Sequence, residues 1–146
     1  MGCRGTLQYA FEAFDQPRVA SAVAIATSVI LQSTLFALMH VHSPGSTMIS
    51  LVNLFIGGAA AALNVIASGG VWLGIGWHFG WNITMGHILG RTTSGIPMSC
   101  ALVSVVPRPA LPGKASYVKY HGGTFGPEMG VLAPLAYYVL GTVEFM

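Results

Sequence analysis

Apolar side chains run almost without interruption from residue 19 to residue 90, and this stretch contains no Asp, Glu, Lys or Arg. It is far longer than the roughly 20 residues that one membrane-spanning helix needs. Two groups of turn residues divide it, one around Pro44-Gly45 and one at Ser68-Gly69-Gly70. The pattern therefore predicts three helices, each about 28–35 Å long. They lie at about 19–41, 49–67 and 71–90.

The segment that follows has a different character. Residues 91–128 contain five charged side chains and five of the eight prolines, which is typical of an extramembrane or interfacial connection. A last apolar run from 130 to 143, with Pro134 inside it, predicts a fourth helix. The fold class predicted is all-α: a single domain over 1–146 that forms a multi-pass transmembrane helical bundle of about four membrane helices.

Composition agrees with a membrane location. The chain is 53% hydrophobic and 7% charged, with a mean hydropathy of +0.68, whereas soluble domains carry roughly a quarter charged residues. A water-soluble globule is therefore excluded, and we expect a multi-pass integral membrane protein surrounded by membrane lipid. The net charge of +2 and the lack of any basic cluster exclude nucleic acid as a partner.

A few polar side chains interrupt the uncharged stretch, and ionisable groups at such positions mark candidate functional sites. His78 and Asn82 lie four residues apart, so they share one helix face. His87 points roughly to the opposite side, while His42 is turned away from His40 and falls at the membrane edge. His40, His78 and Asn82 are therefore either a site or a set of interhelical hydrogen bonds that hold the bundle together.

Two short motifs contain these residues. Phe36 to His40 has the form FxxxH, and His78 to Asn82 has the form HxxxN, about forty residues later. Together they resemble the second and third motifs of the CPBP (CAAX protease and bacteriocin-processing, or Abi) intramembrane peptidases, which include the type II CAAX prenyl endopeptidases. The family's first motif is EExxxR, and Arg4-Gly5 looks like its end. The two glutamates would fall immediately before Met1, so we expect the chain to be the C-terminal part of a larger core.

The resemblance implies a chemistry for these residues. Family members hydrolyse a peptide bond within the membrane, with a first-motif glutamate activating a water molecule. The catalytic set implied here is Arg4, His40, His78 and Asn82, with Asn82 donating to the oxyanion of the tetrahedral intermediate. His40 and His78 would orient the water or bind a divalent metal such as zinc, and the resemblance leaves that choice open. The implied substrate is a membrane-associated peptide or a prenylated protein.

The carboxylate that this chemistry requires is missing from the uncharged stretch. Hydrolytic zinc sites normally use three protein ligands, and the group that activates water is usually a carboxylate. Glu12 and Asp15 are the nearest acids, but they follow Arg4 and so lie on the wrong side of the first motif. Two other functions stay open: a catalytically inactive membrane scaffold of the same fold, and a small transporter or channel component.

Two further features of the sequence are glycine pairs in the third predicted helix and a glutamate near the C-terminus, Glu128. Three glycine pairs at GxxxG spacing occupy the third predicted helix, where we expect them to let a neighbouring helix approach and to bring His78 near His40, with both imidazoles facing one cavity. Glu128 lies in a Gly-rich segment, similar to one in some bacterial members, where we expect a turn or cap residue. The glycine pairs are Gly70/Gly74, Gly76/Gly80 and Gly86/Gly90.

Overall fold

The computed structural model of the chain describes residues 18–105 and 118–137. Across these two ranges the regular structure is helical, with one isolated bridge between Thr93 and Ile96 and no β-strand. The all-α class predicted from the sequence is thus confirmed. The elements are α1 (Arg18–Leu38), α2 (Met48–Ser68), α3 (Trp72–Asn82), a π-helical turn (Ile83–Ile88), α4 (Val118–His121) and a 3-10 turn (Pro127–Met129). A further helix begins at residue 133 and is described as far as 137.

The first two helices agree closely with the hydrophobic pattern. The second predicted span, 49–67, is one residue short of α2 at each end, because a capping box between Thr47 and Ser50 begins the helix and Gly69, with φ +67°, ends it. The first, 19–41, extends too far. After Leu38 the backbone closes into tighter turns, in which the N–H of His40 bonds to the carbonyl of Ala37.

The third predicted span, 71–90, is one continuous helical segment with two hydrogen-bonding patterns. The α-helix holds to Asn82, and the next six residues, Ile83–Ile88, are π-helical. The wider turn changes the direction in which later side chains point, and π-helical turns of this kind occur frequently at functional sites. Asn82 is therefore the last residue in the α-helical register.

The close approach of helices depends on other glycines than those expected. A Cβ on Gly58 of α2 would lie 3.1 Å from the Cα of Ser33 on α1, whereas no atom lies within 4 Å of the Cβ position at Gly76 or Gly80. Only Gly74 of those helix-three residues packs against α2. Among the described residues, the expected close approach of a neighbouring helix therefore occurs at Gly74 and not at Gly70, Gly76 or Gly80.

A pair of matched substitutions tests this packing. We expect Gly58→Leu to destabilise the folded chain by about 1–3 kcal/mol, because the added side chain meets the α1 backbone. Gly76→Leu should leave stability unchanged or raised, since its site is open and leucine favours helix over glycine. Thermal unfolding in detergent, followed by circular dichroism, measures the difference. Equal midpoints for the two variants would show that α1 and α2 do not meet at Gly58.

Three loops pack together at one end of the bundle and form what we call the loop layer: residues 39–47, 91–96 and 121–130. Gly95 lies against the carbonyl of Pro44, and Gly126 lies against that of Thr92, so closely that neither site has room for a Cβ. Phe125 is fully buried with Ala37 and Leu54 in a small core. Parts of the predicted connection 91–128 therefore cover the helix ends beside His40; its residues 106–117 lie outside the described ranges.

The outer surface of the helices is strongly apolar. Large side chains on α1 are exposed, among them Val23, Ile30 and Leu38, each 57–60% accessible. Among the described residues one helix, α2, is long and apolar enough to cross a membrane, with a mean hydropathy of 1.9 over its best window. Surface of this kind is stable in contact with lipid and costly in water.

Candidate functional site

His40 lies in the turn that follows α1. Its Nδ1 is 2.8 Å from the carbonyl oxygen of Phe36, one helical turn earlier. A carbonyl oxygen only accepts hydrogen bonds, so Nδ1 carries the proton and donates it. In the neutral imidazole this contact places the lone pair on Nε2, the atom that can then accept a hydrogen bond from water or bind a metal.

His78 and Asn82 form a direct pair on α3. The Nε2 atom of His78 and the Nδ2 atom of Asn82 are 3.1 Å apart, as their four-residue spacing on one helix face predicts. The Oδ1 atom of Asn82 is buried and has no hydrogen-bond partner. A half-turn of the amide would place Nδ2 in that free position and let Oδ1 accept from the imidazole. In both arrangements one polar atom of Asn82 is left to bind another group.

Phe36 links the two histidines. Its ring centroid lies 4.8 Å from that of His40 and 5.6 Å from that of His78, with the second contact edge-to-face. The same ring packs against the small core around Phe125. The FxxxH phenylalanine is therefore a packing residue that brings the imidazoles of two sequence-distant motifs against one aromatic surface.

An apolar cavity of about 770 Å³ lies between α1, α2 and α3. His78 and Asn82 line it, together with Ser28 and Gln32 and a larger number of aliphatic side chains. His40 is not part of its lining, since it lies in the loop layer across the Phe36 contact. The expectation that both imidazoles face one cavity is therefore met by His78 alone. The aliphatic lining includes Ile25, Val29, Ala61, Val65, Ile66 and Ile75.

Glu128 is the one acidic residue in the described part of the chain, and it is 3% exposed. Its Oε1 accepts from the indole Nε1 of Trp81 at 3.2 Å, and its Oε2 accepts from the backbone N–H and the hydroxyl of Ser94. Burial raises the pKa of the Glu128 carboxyl, while the hydrogen bonds and the nearby His40 oppose that rise. Glu128 therefore lies in a turn, as expected, and its carboxylate is also buried and hydrogen-bonded to two other segments.

Asn53 anchors the same loop from α2. Its Nδ2 donates to the backbone carbonyls of Glu128 and Gly130, at 2.8 and 2.9 Å. Sequence reasoning missed both Asn53 and Glu128 as partners, because they are 75 residues apart. The available signal was chemical: each is an isolated polar residue beside apolar or glycine-rich sequence, and such residues are buried only when they are hydrogen-bonded.

The described residues do not complete a metal site. Nowhere among them do three His, Cys, Asp or Glu side chains lie close enough together to hold one metal ion, and the Nε2 atom of His78 is within hydrogen-bond distance of Asn82. A hydrolytic zinc ion normally takes three protein ligands. His40 and His78 supply two of those three ligands, so binding of a divalent metal by them stays a prediction.

The remaining predicted residues are placed elsewhere. Arg4 lies outside the described residues. His42 is exposed, and the exposed His87 places its Nδ1 3.2 Å from the backbone oxygen of Cys100. Neither side chain joins His40, His78 or Asn82, so both serve as control positions.

Comparison with known families agrees with these motifs. A model of the type II CAAX prenyl endopeptidase Rce1-like family matches residues 1–84. The chain belongs to the Rce1-like family. The CPBP relationship inferred from the motifs is thus confirmed, and the match includes Arg4, the FxxxH motif and the HxxxN motif. Rce1-like proteins are CAAX-type proteases embedded in membranes, and they act on prenylated CAAX substrates. No curated protein and no solved structure shows significant similarity to the chain.

Proposed function

We propose that this chain carries the His/His/Asn part of an intramembrane peptidase site, which hydrolyses a peptide bond of a membrane-associated substrate with an activated water molecule. The observation that carries the proposal is the His78–Asn82 pair, with one unpartnered amide atom, in the wall of an apolar cavity. A prenylated CAAX-type peptide is the substrate class that the family suggests. The cavity offers apolar surface for such a chain next to polar groups.

Each residue has a defined task in the proposed reaction. One first-motif glutamate, which precedes Arg4 in the family's pattern, takes a proton from water, and Nε2 of neutral His40 accepts a hydrogen bond from that water. Hydroxide adds to the carbonyl carbon, and the Asn82 amide donates to the resulting oxyanion. Collapse of this intermediate breaks the C–N bond, and the proton held by the glutamate passes to the leaving amine. No acidic residue stands before Arg4 in the 146 residues, so this mechanism is tested in a protein in which two glutamates precede Met1.

Asn82→Ala measures the oxyanion contribution. In a protein that carries the glutamate pair, we expect kcat to fall by about 10²–10³-fold with little change in KM, because the amide acts mainly in the transition state. Asn64→Ala is the matched control: it removes another buried asparagine from α2, outside the cavity lining, and its kcat per folded molecule should stay within about twofold. A normal kcat in Asn82→Ala would remove Asn82 from the reaction.

A catalytically inactive scaffold of the same fold is the second candidate. The observation in its favour is that the only carboxylate among the described residues, Glu128, has both oxygens engaged in hydrogen bonds. Such a protein would keep the fold and the cavity without hydrolysis. It predicts binding of a prenylated peptide and no cleavage, even when two glutamates precede Met1.

We also propose that the chain crosses the membrane four times: with α1, with α2, with the continuous segment from α3 through the π-helical turn, and with a fourth span near 130–143. After both native cysteines are replaced, single cysteines at Ile30 and Leu63, 57% and 54% exposed, and at the exposed Gly80 should resist a water-soluble maleimide in intact membranes because lipid covers them. A cysteine at the 84% exposed Leu102 should react rapidly. Rapid labelling at the three helix positions would contradict membrane insertion of these helices. The fourth span needs its own probe, at Leu135.

A further inference from the structure

The buried carboxylate of Glu128 is a feature that the family motifs do not explain. It lies outside residues 1–84, which match the family model, and outside the FxxxH and HxxxN motifs. Removing a carboxylate from water is costly unless its oxygens are hydrogen-bonded, and Glu128 accepts from three donors. Such an arrangement indicates that the position of the carboxylate matters.

The contacts of Glu128 connect the loop layer to α3. Trp81, which donates to one carboxylate oxygen, immediately precedes Asn82 and is 9% exposed. Its ring also packs against Tyr137, with centroids 5.1 Å apart. The indole is therefore held on two sides, by an aromatic ring and by an acceptor. The other oxygen of Glu128 binds Ser94, so one side chain joins two segments of the chain.

The helix needs such support at this point. Backbone hydrogen bonding changes from α to π immediately after Asn82, so two registers meet at the amide that pairs with His78. Small rotations there would move the amide relative to the cavity. Side-chain contacts on Trp81 resist that rotation, because adjacent residues of a helix turn together.

We propose that Glu128 is a positioning residue: its carboxylate holds the Trp81 indole and thereby fixes the direction of Asn82 toward His78 and the cavity. This inference rests on the proposed peptidase function for its catalytic consequence. Glu128 itself touches neither substrate nor water in the reaction.

Glu128→Gln tests this role, because it keeps the size of the side chain and removes one acceptor. The amide oxygen can serve Ser94 or Trp81, and its NH2 group then faces the other donor. In the protein with the glutamate pair, we expect kcat per folded molecule to fall about ten- to hundredfold, as for a slightly misplaced catalytic group. KM should change less than about twofold. Ser94→Ala, which leaves the backbone donor in place, is the mild control.

Two NMR signals separate positioning from general stability. In detergent-solubilised protein labelled with ¹⁵N-tryptophan and ¹⁵N-asparagine, Glu128→Gln should move the Trp81 indole resonance and the side-chain amide resonances of Asn82. Trp81→Phe assigns the indole signal and removes the same hydrogen bond, and its effect on kcat should not add to that of Glu128→Gln. If Glu128→Gln does not fold, the shift of the Asn82 side-chain amide resonances in Trp81→Phe provides the same test.

The outcomes distinguish this inference from the proposed function. Unchanged Asn82 resonances, or an unchanged kcat per folded molecule in an active protein, would overturn positioning by Glu128. A lower unfolding midpoint with normal kcat per folded molecule would also overturn it, since that is the result of a purely structural role. If the parent protein with both glutamates shows no hydrolysis, the peptidase function fails, and the Asn82 resonances alone decide whether Glu128 positions that amide.

Discussion

Placing two glutamates immediately before Met1 should raise peptide hydrolysis about 10²–10⁴-fold above that of the 146-residue chain, the usual contribution of a general base. The extension completes the EExxxR pattern, with Met1, Gly2 and Cys3 as the three spacer residues before Arg4. The reason is chemical: the described site has an imidazole lone pair and an amide but no free carboxylate to take a proton from water. Cleavage of a fluorogenic prenylated peptide in proteoliposomes gives the rates.

Two glutamines at the same positions form the matched control for this experiment. They preserve the length and hydrogen-bonding capacity of the extension and remove the base, so their rate should equal that of the unextended chain. Equal rates for the glutamate and glutamine versions, in folded protein, would show that the family's mechanism does not operate here. Binding of the peptide without cleavage in both would favour the inactive scaffold.

His40→Ala and His78→Ala should each abolish hydrolysis in the glutamate-bearing protein, with losses of about 10²–10⁴-fold. In His40, the hydrogen bond from Nδ1 to the backbone carbonyl of Phe36 leaves Nε2 to interact with water. In His78, Nε2 pairs with the side-chain amide of Asn82. His42→Ala and His87→Ala are the controls, since both side chains are exposed and lie apart from the pair. Their rates should remain within about twofold of the parent.

Initial rates normalised to folded protein measure these effects, and circular dichroism checks the fold of each variant. Loss of activity in all four histidine variants would indicate a general effect of removing imidazoles from the chain. Normal activity in either His40→Ala or His78→Ala would remove that residue from the site.

Local features of the fold were predictable because their causes are local. The bounds of α2 follow from an uncharged apolar run between Thr47, a capping residue, and Gly69, a helix-ending glycine. The pairing of His78 with Asn82 follows from four-residue spacing on a helix. The end of α1 was harder to predict from the sequence, because tight turns within an apolar run do not change the hydrophobic pattern.

Features that depend on distant residues were not predictable in this way. GxxxG spacing identified three glycine pairs in the third span, and of these residues Gly74 packs against α2. The approach of α1 to α2 at Gly58 was not identified, because the neighbour of a helix is set by tertiary packing. Glu128 is buried by partners 34 and 47 residues away, and its sequence context of glycine and proline suggests only a turn. The π-helical turn likewise has no signature in the residues that form it.

The most direct test of the peptidase proposal is mass spectrometry of a prenylated CAAX-type peptide incubated in liposomes with the glutamate-bearing protein and with its His78→Ala variant. We predict two cleavage fragments whose masses add up to the mass of the intact peptide plus one water. Both should form with the parent and be absent with His78→Ala at equal amounts of folded protein. The same fragments at the same rate from both proteins, or no fragments from the folded parent, would contradict a hydrolytic site at His78.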